Sequence, residues 1–403
     1  MRRGSNLPAV GTYNQTLVLD LVRRAAGGVS RSELAELTGL SAQTLSNVAR
    51  RLVAQGLITE GEPIVAGKGK PRIPLRLNPQ ARYAVGIHLD PAVDTFVLID
   101  LNGSVVAHAE HAPRAARHAD QLLTDLALHA NELLDRAGVH RDRVLGIGVA
   151  APGPIDSERG SLLEPPLLPA WHNVPLREAL EEATGLPVTV EKDVVAAMVG
   201  ELWVDTAGLL NDAIFFYYGA GVGVGLATEA TPVRGRTGNA GDVAHLVVEP
   251  DGPLCHCGQR GCLGVAVAPE RLVGATDAPS DAPPAEVRAL LGRMTERALD
   301  GDAATSAVFE RTAQALARSM VLINNLLDAD VVVIGGPMWN RMSAAVLPAL
   351  RSALASSAEV TTTRPISLLE TKLDTDVAAA GAACLVLDGV FTARPAGLLI
   401  RSS

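Results

Sequence analysis

Three cysteines of this chain fall within eight residues, Cys255-His256-Cys257-Gly258-Gln259-Arg260-Gly261-Cys262, and His245 stands ten residues before the first. Three thiolates and one imidazole complete a tetrahedral Zn2+ shell with no open position, which is the pattern of structural rather than catalytic zinc. Gly258 and Gly261 permit the tight turn that folds three ligands round one ion. His256 competes with His245 for the fourth place, but its neighbours are ligand candidates themselves, so His245 fits better. A disulfide here would leave one thiol over, and four cysteines in 403 residues are too few for a disulfide framework. The fourth, Cys384, lies in Ala378–Leu387, which reads as an apolar helix, and is expected to be buried there.

A second group of polar side chains stands near the N-terminus: Ser41, Gln43, Thr44, Ser46 and Asn47, followed by Arg50 and Arg51. Gln and Asn can pair bidentately with adenine, Ser and Thr hydroxyls suit phosphates or base edges, and arginines reach the backbone. Lys68, Lys70 and Arg72 form a short cationic, glycine-flanked tip, suited to phosphates or a narrow minor groove. The elements that would position these groups follow from the apolar spacing. Leu17, Leu21 and Val22 predict a helix over 14–26, and Ser30 with Glu33 predicts a capping box. Leu34, Leu37, Leu40, Leu45, Val48 and Leu52 continue a helical period that Gly39 interrupts and Ser41 restarts. Helix, turn, helix is the pattern that lays its second helix in the major groove. Leu57-Ile58, a turn at 60–62, and a hairpin of Ile64-Val65 with Ile73–Leu77 supply a wing. Residues 1–82 carry a charge of +7 and the remainder −16, together the −9 of the whole chain. A basic head on an acidic body points to double-stranded DNA as a partner of the head.

From Tyr83 the pattern changes. Strands are predicted at Tyr83–His88, Thr95–Leu101, Val144–Val149, Val188–Val190, Ala213–Tyr218, Gly223–Ala227 and Val331–Ile334, and helices over 118–138, 175–185, 193–203 and 304–328. Alternating strands and helices make an α/β body over 83–403. Residues 274–285 read as a mobile connection. With 48% hydrophobic and 20% charged residues, wholesale disorder is excluded. No apolar run reaches membrane-spanning length, and no apolar signal segment follows the basic start, so the expected compartment is the cytoplasm.

Longer motifs make the body resemble the ROK family, which holds sugar-responsive repressors and sugar kinases on one fold. Arg234-Gly235-Arg236-Thr237-Gly238-Asn239-Ala240-Gly241-Asp242-Val243-Ala244-His245, followed by the cysteine loop, is similar to the family signature. So are Gly148 to Asp156, Pro169 to Leu176, and Glu191-Lys192-Asp193 with Gly200-Glu201, the last resembling the segment of the catalytic aspartate. The resemblance implies a winged helix-turn-helix followed by a two-lobed actin/hexokinase-like, ribonuclease H-like body. It also implies a sugar cleft that offers Asn173, Asp193, Asp242 and His245.

The same resemblance separates kinase from sensor. Family kinases cradle phosphate with an aspartate and paired glycines at the first hairpin. Here His88 stands at the aspartate, and Asp90-Pro91 stand at the glycines. A carboxylate there repels phosphate, and proline offers no N–H. Gly219 to Gly223 resembles a second phosphate loop but is a weak signal alone. Asp242 and Gly264 replace family glutamates, and Lys192 replaces an asparagine, so it could meet a phosphate. The expectation is therefore no enzyme. It is a zinc-braced regulator of carbohydrate genes, a homodimer or homotetramer on operator DNA, responding to a sugar or sugar phosphate. An ATP-dependent sugar kinase with a DNA-binding head, and a ligand-independent regulator, are the alternatives.

Overall fold

The computed structural model describes residues 7–64, 71–113, 119–276, 282–357, 360–361 and 363–392. Helix α1 (Leu7–Arg24) leads into α2 (Arg31–Thr38), which opens at Ser30. The Ser30 hydroxyl accepts from the Glu33 amide, and the Glu33 carboxylate accepts from the Ser30 amide at 2.7 Å, closing the capping box. Gly39, at φ 67°, ends α2 in the left-handed conformation. Ser41 then caps α3 (Ala42–Ala54). Leu34, Leu45, Val48 and Leu52 close the head's core with Val18 and Val22, whereas Leu37 points to solvent. A Ser30→Ala change is expected to cost the head about 1 kcal/mol, read as a shift in its denaturant midpoint. Hydrogen bonds from the Ser30 amide and hydroxyl, with Arg72 beside them, hold the Glu33 carboxyl down at about 2. That contribution is present above the ordinary value of 4.5 and is lost as pH falls toward 2.

The wing is wider than the sequence suggested. Strand β1 (Ile58–Glu60) pairs antiparallel with β2 (Leu75–Leu77), and Ile64 bridges Arg72. Residues 60–62, expected as a turn, run along the arm, with the Gly61 amide donating to Pro74 O at 2.8 Å. Ile58 and Leu75 are the apolar residues that complete the head's core, and pairing extends back to reach them.

The first lobe is a sheet in the order β5-β4-β3-β6-β9, built from β3 (Tyr83–His88), β4 (Asp94–Asp100), β5 (Val105–His111), β6 (Val144–Ala151) and β9 (Val188–Lys192). Helices α4 (Ala119–Ala137) and α5 (Leu176–Thr184) and a small hairpin of β7 (Ile155–Asp156) with β8 (Ser161–Leu162) complete it. Helix α6 (Asp193–Val204) leads to the second lobe. There β10 (Ala213–Tyr218), β11 (Val222–Thr228), β12 (Thr231–Pro232), β13 (Val331–Gly335) and β14 (Ser367–Glu370) form a sheet in the order β12-β11-β10-β13-β14. Helices α7 (Leu263–Ala266), α8 (Pro269–Gly274), α9 (Pro284–Leu299), α10 (Ala303–Leu327) and α11 (Trp339–Ser356) belong to this lobe.

Helix α12 (Val377–Phe391) returns to the first sheet. It lies so close that a Cβ on Gly86 would sit 1.9 Å from Ala379 O, and one on Gly148 would sit 1.7 Å from Ala382 O. Glycine in β3 and β6 is what admits the helix. Of the predicted 274–285 connection, residues 277–281 lie outside the described residues, Gly274 ends α8, and residues 282–285 run into α9. Among the described residues, no helix is long and apolar enough to cross a membrane.

Candidate ligand cleft, metal cluster and DNA-facing helix

A cavity of about 590 Å³ opens between the lobes, lined among others by His88, Asp90, Asp193, Tyr217, Asp242 and His245. That volume is ordinary for a small-molecule site. Asp193 begins α6 where β9 ends, and its Oδ1 accepts the Val194 N–H at 2.7 Å. Burial pushes its carboxyl up to about 6, against the pull of Lys192. Burial also drives His88 down, so a neutral imidazole faces the Tyr217 hydroxyl, with 3.3 Å from Nε2 to Oη. Neutral imidazole, phenol and carboxylates make a surface that can donate to and accept from sugar hydroxyls. Tyr217 was missed in the sequence because it lies inside a wholly buried strand.

Between pH 3.8 and about 6 the folded protein holds a proton on Asp193 that the unfolded chain has released. Stability from this group therefore rises as pH falls through that window. An Asp193→Asn variant is expected to be more stable than the parent by about 3 kcal/mol at neutral pH. Urea unfolding at several pH values should show the gain vanish as pH approaches the unfolded carboxyl value.

The remaining predicted contacts divide. Asp242 and His245 line the cavity and are exposed, with Asp242 Oδ1 accepting the Ala244 amide at 3.2 Å. Asn173 is not among the lining residues. It sits in a left-handed turn, at φ 51°, with its amide donating to Leu163 O, and its exposed side chain meets His172. Lys192 also lines the cleft, and its Nζ donates to Asn239 O and Ala240 O, each at 3.4 Å, which leaves the third N–H of the ammonium for a ligand. Gly264 lines the cleft, and a Cβ there would meet Ala244 at 3.1 Å, so a larger residue would need the 244 segment to give way. Where a phosphate cradle would lie, the β3–β4 hairpin carries Asp90, buried, and Asp94, whose carboxyl burial pushes up to about 7.

One ligand atom from each of His245, Cys255, Cys257 and Cys262 lies within 4.8 Å of the others. Cys255 Sγ is 3.5 Å from His245 Nδ1, and Cys257 Sγ is 3.6 Å from Cys262 Sγ. That sulfur separation is far beyond the roughly 2.05 Å of a disulfide. The Gly258 amide closes a turn on Cys255 O at 2.9 Å, and Gly261 backs onto Glu249 O, where a Cβ would sit at 1.5 Å. His256 lies beside Cys255 but outside the group. The donor set, three soft sulfurs and one imidazole, fits a tetrahedral ion. A second cluster of His111, His129 and Glu132 differs: its imidazoles stack in parallel, 3.5 Å apart and 7° from coplanar. Lone pairs lie in the ring planes, so in that stack they do not converge on one ion.

In the head, Gln43, Asn47 and Arg50 form one exposed row on α3. Asn47 Oδ1 accepts from Gln43 Nε2 at 3.3 Å and from Arg50 Nη1 at 3.5 Å. Arg51 is exposed, and Thr44 and Ser46 are half-buried. Ser41, expected to face DNA, accepts the Thr44 amide at 3.2 Å as the helix cap. Arg72, expected at the wing tip, is pinned. Its Nε donates to both Glu33 oxygens, at 3.2 and 3.0 Å, and its Nη2 donates to Gly28 O at 2.8 Å. Its fork ties the wing to α2, because the strand bridge at Ile64–Arg72 places it over that helix's cap. Lys68 and Lys70 lie outside the described residues.

Comparison with known proteins agrees with both parts. Residues 12–67 match the MarR family pattern. The xylose repressor of Caldicellulosiruptor bescii is 29% identical over 235 residues, 58% of this chain and 59% of that repressor, so the match spans under two thirds of its length. The DNA-binding transcriptional dual regulator NagC of Escherichia coli K12 is 26% identical over 88% of this chain and 87% of its own. The crystal structure of a ROK family transcriptional regulator, a homologue of the E. coli MLC protein, superposes with a TM-score of 0.75 at 23% identity, over 95% of this chain and 98% of that one. A ROK glucokinase from Streptomyces griseus, solved with glucose and AMPPNP, shares the body fold at a TM-score of 0.63 and 24% identity, over 75% of this chain and 98% of its own. The ROK pattern itself matches residues 86–389, and the chain belongs to the ROK family.

Proposed function

We propose that this protein is a DNA-binding transcriptional repressor of carbohydrate uptake or catabolism genes, whose grip on operator DNA responds to a sugar or sugar derivative in the interlobe cleft. The observation that carries the reading is the exposed Gln43–Asn47–Arg50 row on α3 of a winged head. The relatives named above, a xylose repressor and NagC, support the same reading. Gln43, Thr44, Ser46 and Asn47 read bases, while Arg50, Arg51, Lys68 and Lys70 meet phosphates. Asp193, Asp242 and His245 hold the effector. A zinc ion held by His245, Cys255, Cys257 and Cys262 braces the loop that carries Asp242. Palindromic operators call for a homodimer or homotetramer in the cytoplasm.

Phosphoryl transfer is disfavoured by Asp90, Asp94 and Pro91 on the hairpin where a kinase needs amide donors. The test has two steps. Duplexes are selected from a random pool with the zinc-loaded full chain, and their affinity is measured by anisotropy. Pentoses, hexoses, N-acetylhexosamines and their phosphates are then added at millimolar concentration. One class is expected to change DNA affinity without ATP being consumed. ATP turnover with any sugar would establish the kinase instead, and tight DNA binding indifferent to all of them would establish a ligand-independent regulator.

A further inference from the structure

The two helices that carry the chain between the lobes also hold the head. Helix α6 leaves β9 of the first sheet and delivers the chain to β10 of the second, and α12 leaves β14 and returns to lie on β3 and β6. The pair touch backbone to backbone. A Cβ on Gly381 would stand 2.0 Å from Ala196 O, and one on Gly200 would stand 2.9 Å from Gly381 Cα. Helices packed this tightly move together, so a change in cleft opening must act on the pair.

The near end of α6 is Asp193, in the cleft; the far end is Trp203, about 15 Å along the axis at the usual rise per residue. Arg23, from the last turn of α1, lies with its guanidinium 4.1 Å over the Trp203 ring. Its Nη1 donates to the Trp203 carbonyl, meeting the negative end of α6, and its Nη2 pairs with Asp20 at 2.6 Å. Arg24 Nη1 reaches Asp205 O at 3.4 Å. Arg23 is only 6% exposed, and its Nε has no partner, an expensive way to bury an arginine. Around it, Val18, Leu19 and Val22 of the head belong to the same hydrophobic cluster as Val199 and Trp203 of α6 and Cys384 and Leu387 of α12.

We propose that Arg23 is the positioning residue through which the α6–α12 hinge sets the attitude of the DNA-binding head, so that opening or closing the cleft re-aims α3. The proposal rests on the reading of the head as a DNA reader. Coupling is reciprocal: DNA on the head must then change the cleft end of α6.

The experiment follows amide exchange in the zinc-loaded full chain, with and without a duplex chosen from the random pool. In the parent, DNA is expected to change exchange at residues 193–198 by about fivefold, a typical size for coupled sites. With Arg23→Ala, DNA still binds and the change at 193–198 falls below twofold. Arg23→Lys keeps a charge but cannot span indole, carbonyl and Asp20 together, and Trp203→Phe removes the larger ring. Both guard against a head that fails to fold, and both are expected to lose most of the response. An Arg23→Ala protein that responds like the parent, or a parent that binds DNA with no change at 193–198, overturns the proposal alone. A parent that binds no DNA overturns the repressor reading and this proposal together.

Discussion

A Cys262→Ser variant is expected to lose its metal and to unfold about 5 °C or more below the parent, a loss of about 3 kcal/mol or more. Cys262 is fully buried, caps α7 and bridges Val247, so it joins the loop to the rest of the second lobe. Apart from backbone hydrogen bonds such as Cys255 N–H to Gln259 O at 2.7 Å and Gly261 N–H to Pro253 O at 2.8 Å, the loop is open to solvent: Cys257 is exposed, and its turns hang on glycines at φ 89° and 67°. A bound ion contributes folding free energy directly when its ligands converge only in the folded chain. Cys384→Ser is the matched control. It is buried in α12, far along the chain from the cluster, and should cost packing alone. The measurements are zinc per chain by elemental analysis and the thermal midpoint. A Cys262→Ser protein with full zinc content and an unchanged midpoint would show that the four residues hold no structural ion. Ligands must shed protons to bind, so occupancy in the parent should also fall as the buffer is made acidic.

What could be read from the sequence was what local chemistry determines. Ser30 with Glu33, Gly39 and Ser41 each act within four residues, so the edges of α2 and α3 stood in plain view. The cysteine loop was legible for the same reason, since Gly258 and Gly261 make its turns from within. Helices α9 and α11 were not. Val287, Leu291 and Met294 of the first, and Trp339, Met342, Val346, Leu350 and Leu354 of the second, stand at helical spacing, but the first opens at Pro283-Pro284 and the second contains Pro348, and prolines read as breaks. Side-chain direction was the least legible feature. Arg72 had the right charge for an anion, but Glu33, distant from it in sequence, takes that charge up. Asn173 carried a family role, but it is not among the residues that line the cleft. Tyr217 gave no signal at all, because an apolar strand hides which of its residues reaches the cleft.

The recognition row allows the sharpest functional test, because its members should fail in different ways. Asn47→Ala is expected to weaken binding to the best selected duplex by about 10- to 100-fold and to relax its preference at one base pair, with the salt dependence unchanged. Arg50→Ala should weaken binding on all duplexes alike and lower the salt slope by about one unit. The geometry separates the two. Asn47 sits centrally in the row, nearly two turns after the cap at Ser41, and its Oδ1 already draws Gln43 and Arg50 into line. A pre-aligned amide loses less side-chain freedom when it meets a base, so its removal costs specific contacts and also the order of its neighbours. Gln43→Ala should therefore show part of the Asn47→Ala loss rather than add to it. Ser41→Ala isolates the cap: it should cost about 1 kcal/mol of head stability and leave base preference intact. If Asn47→Ala and Arg50→Ala instead weaken every duplex equally, with equal loss of salt slope, α3 contacts only the backbone and sequence is read elsewhere on the head.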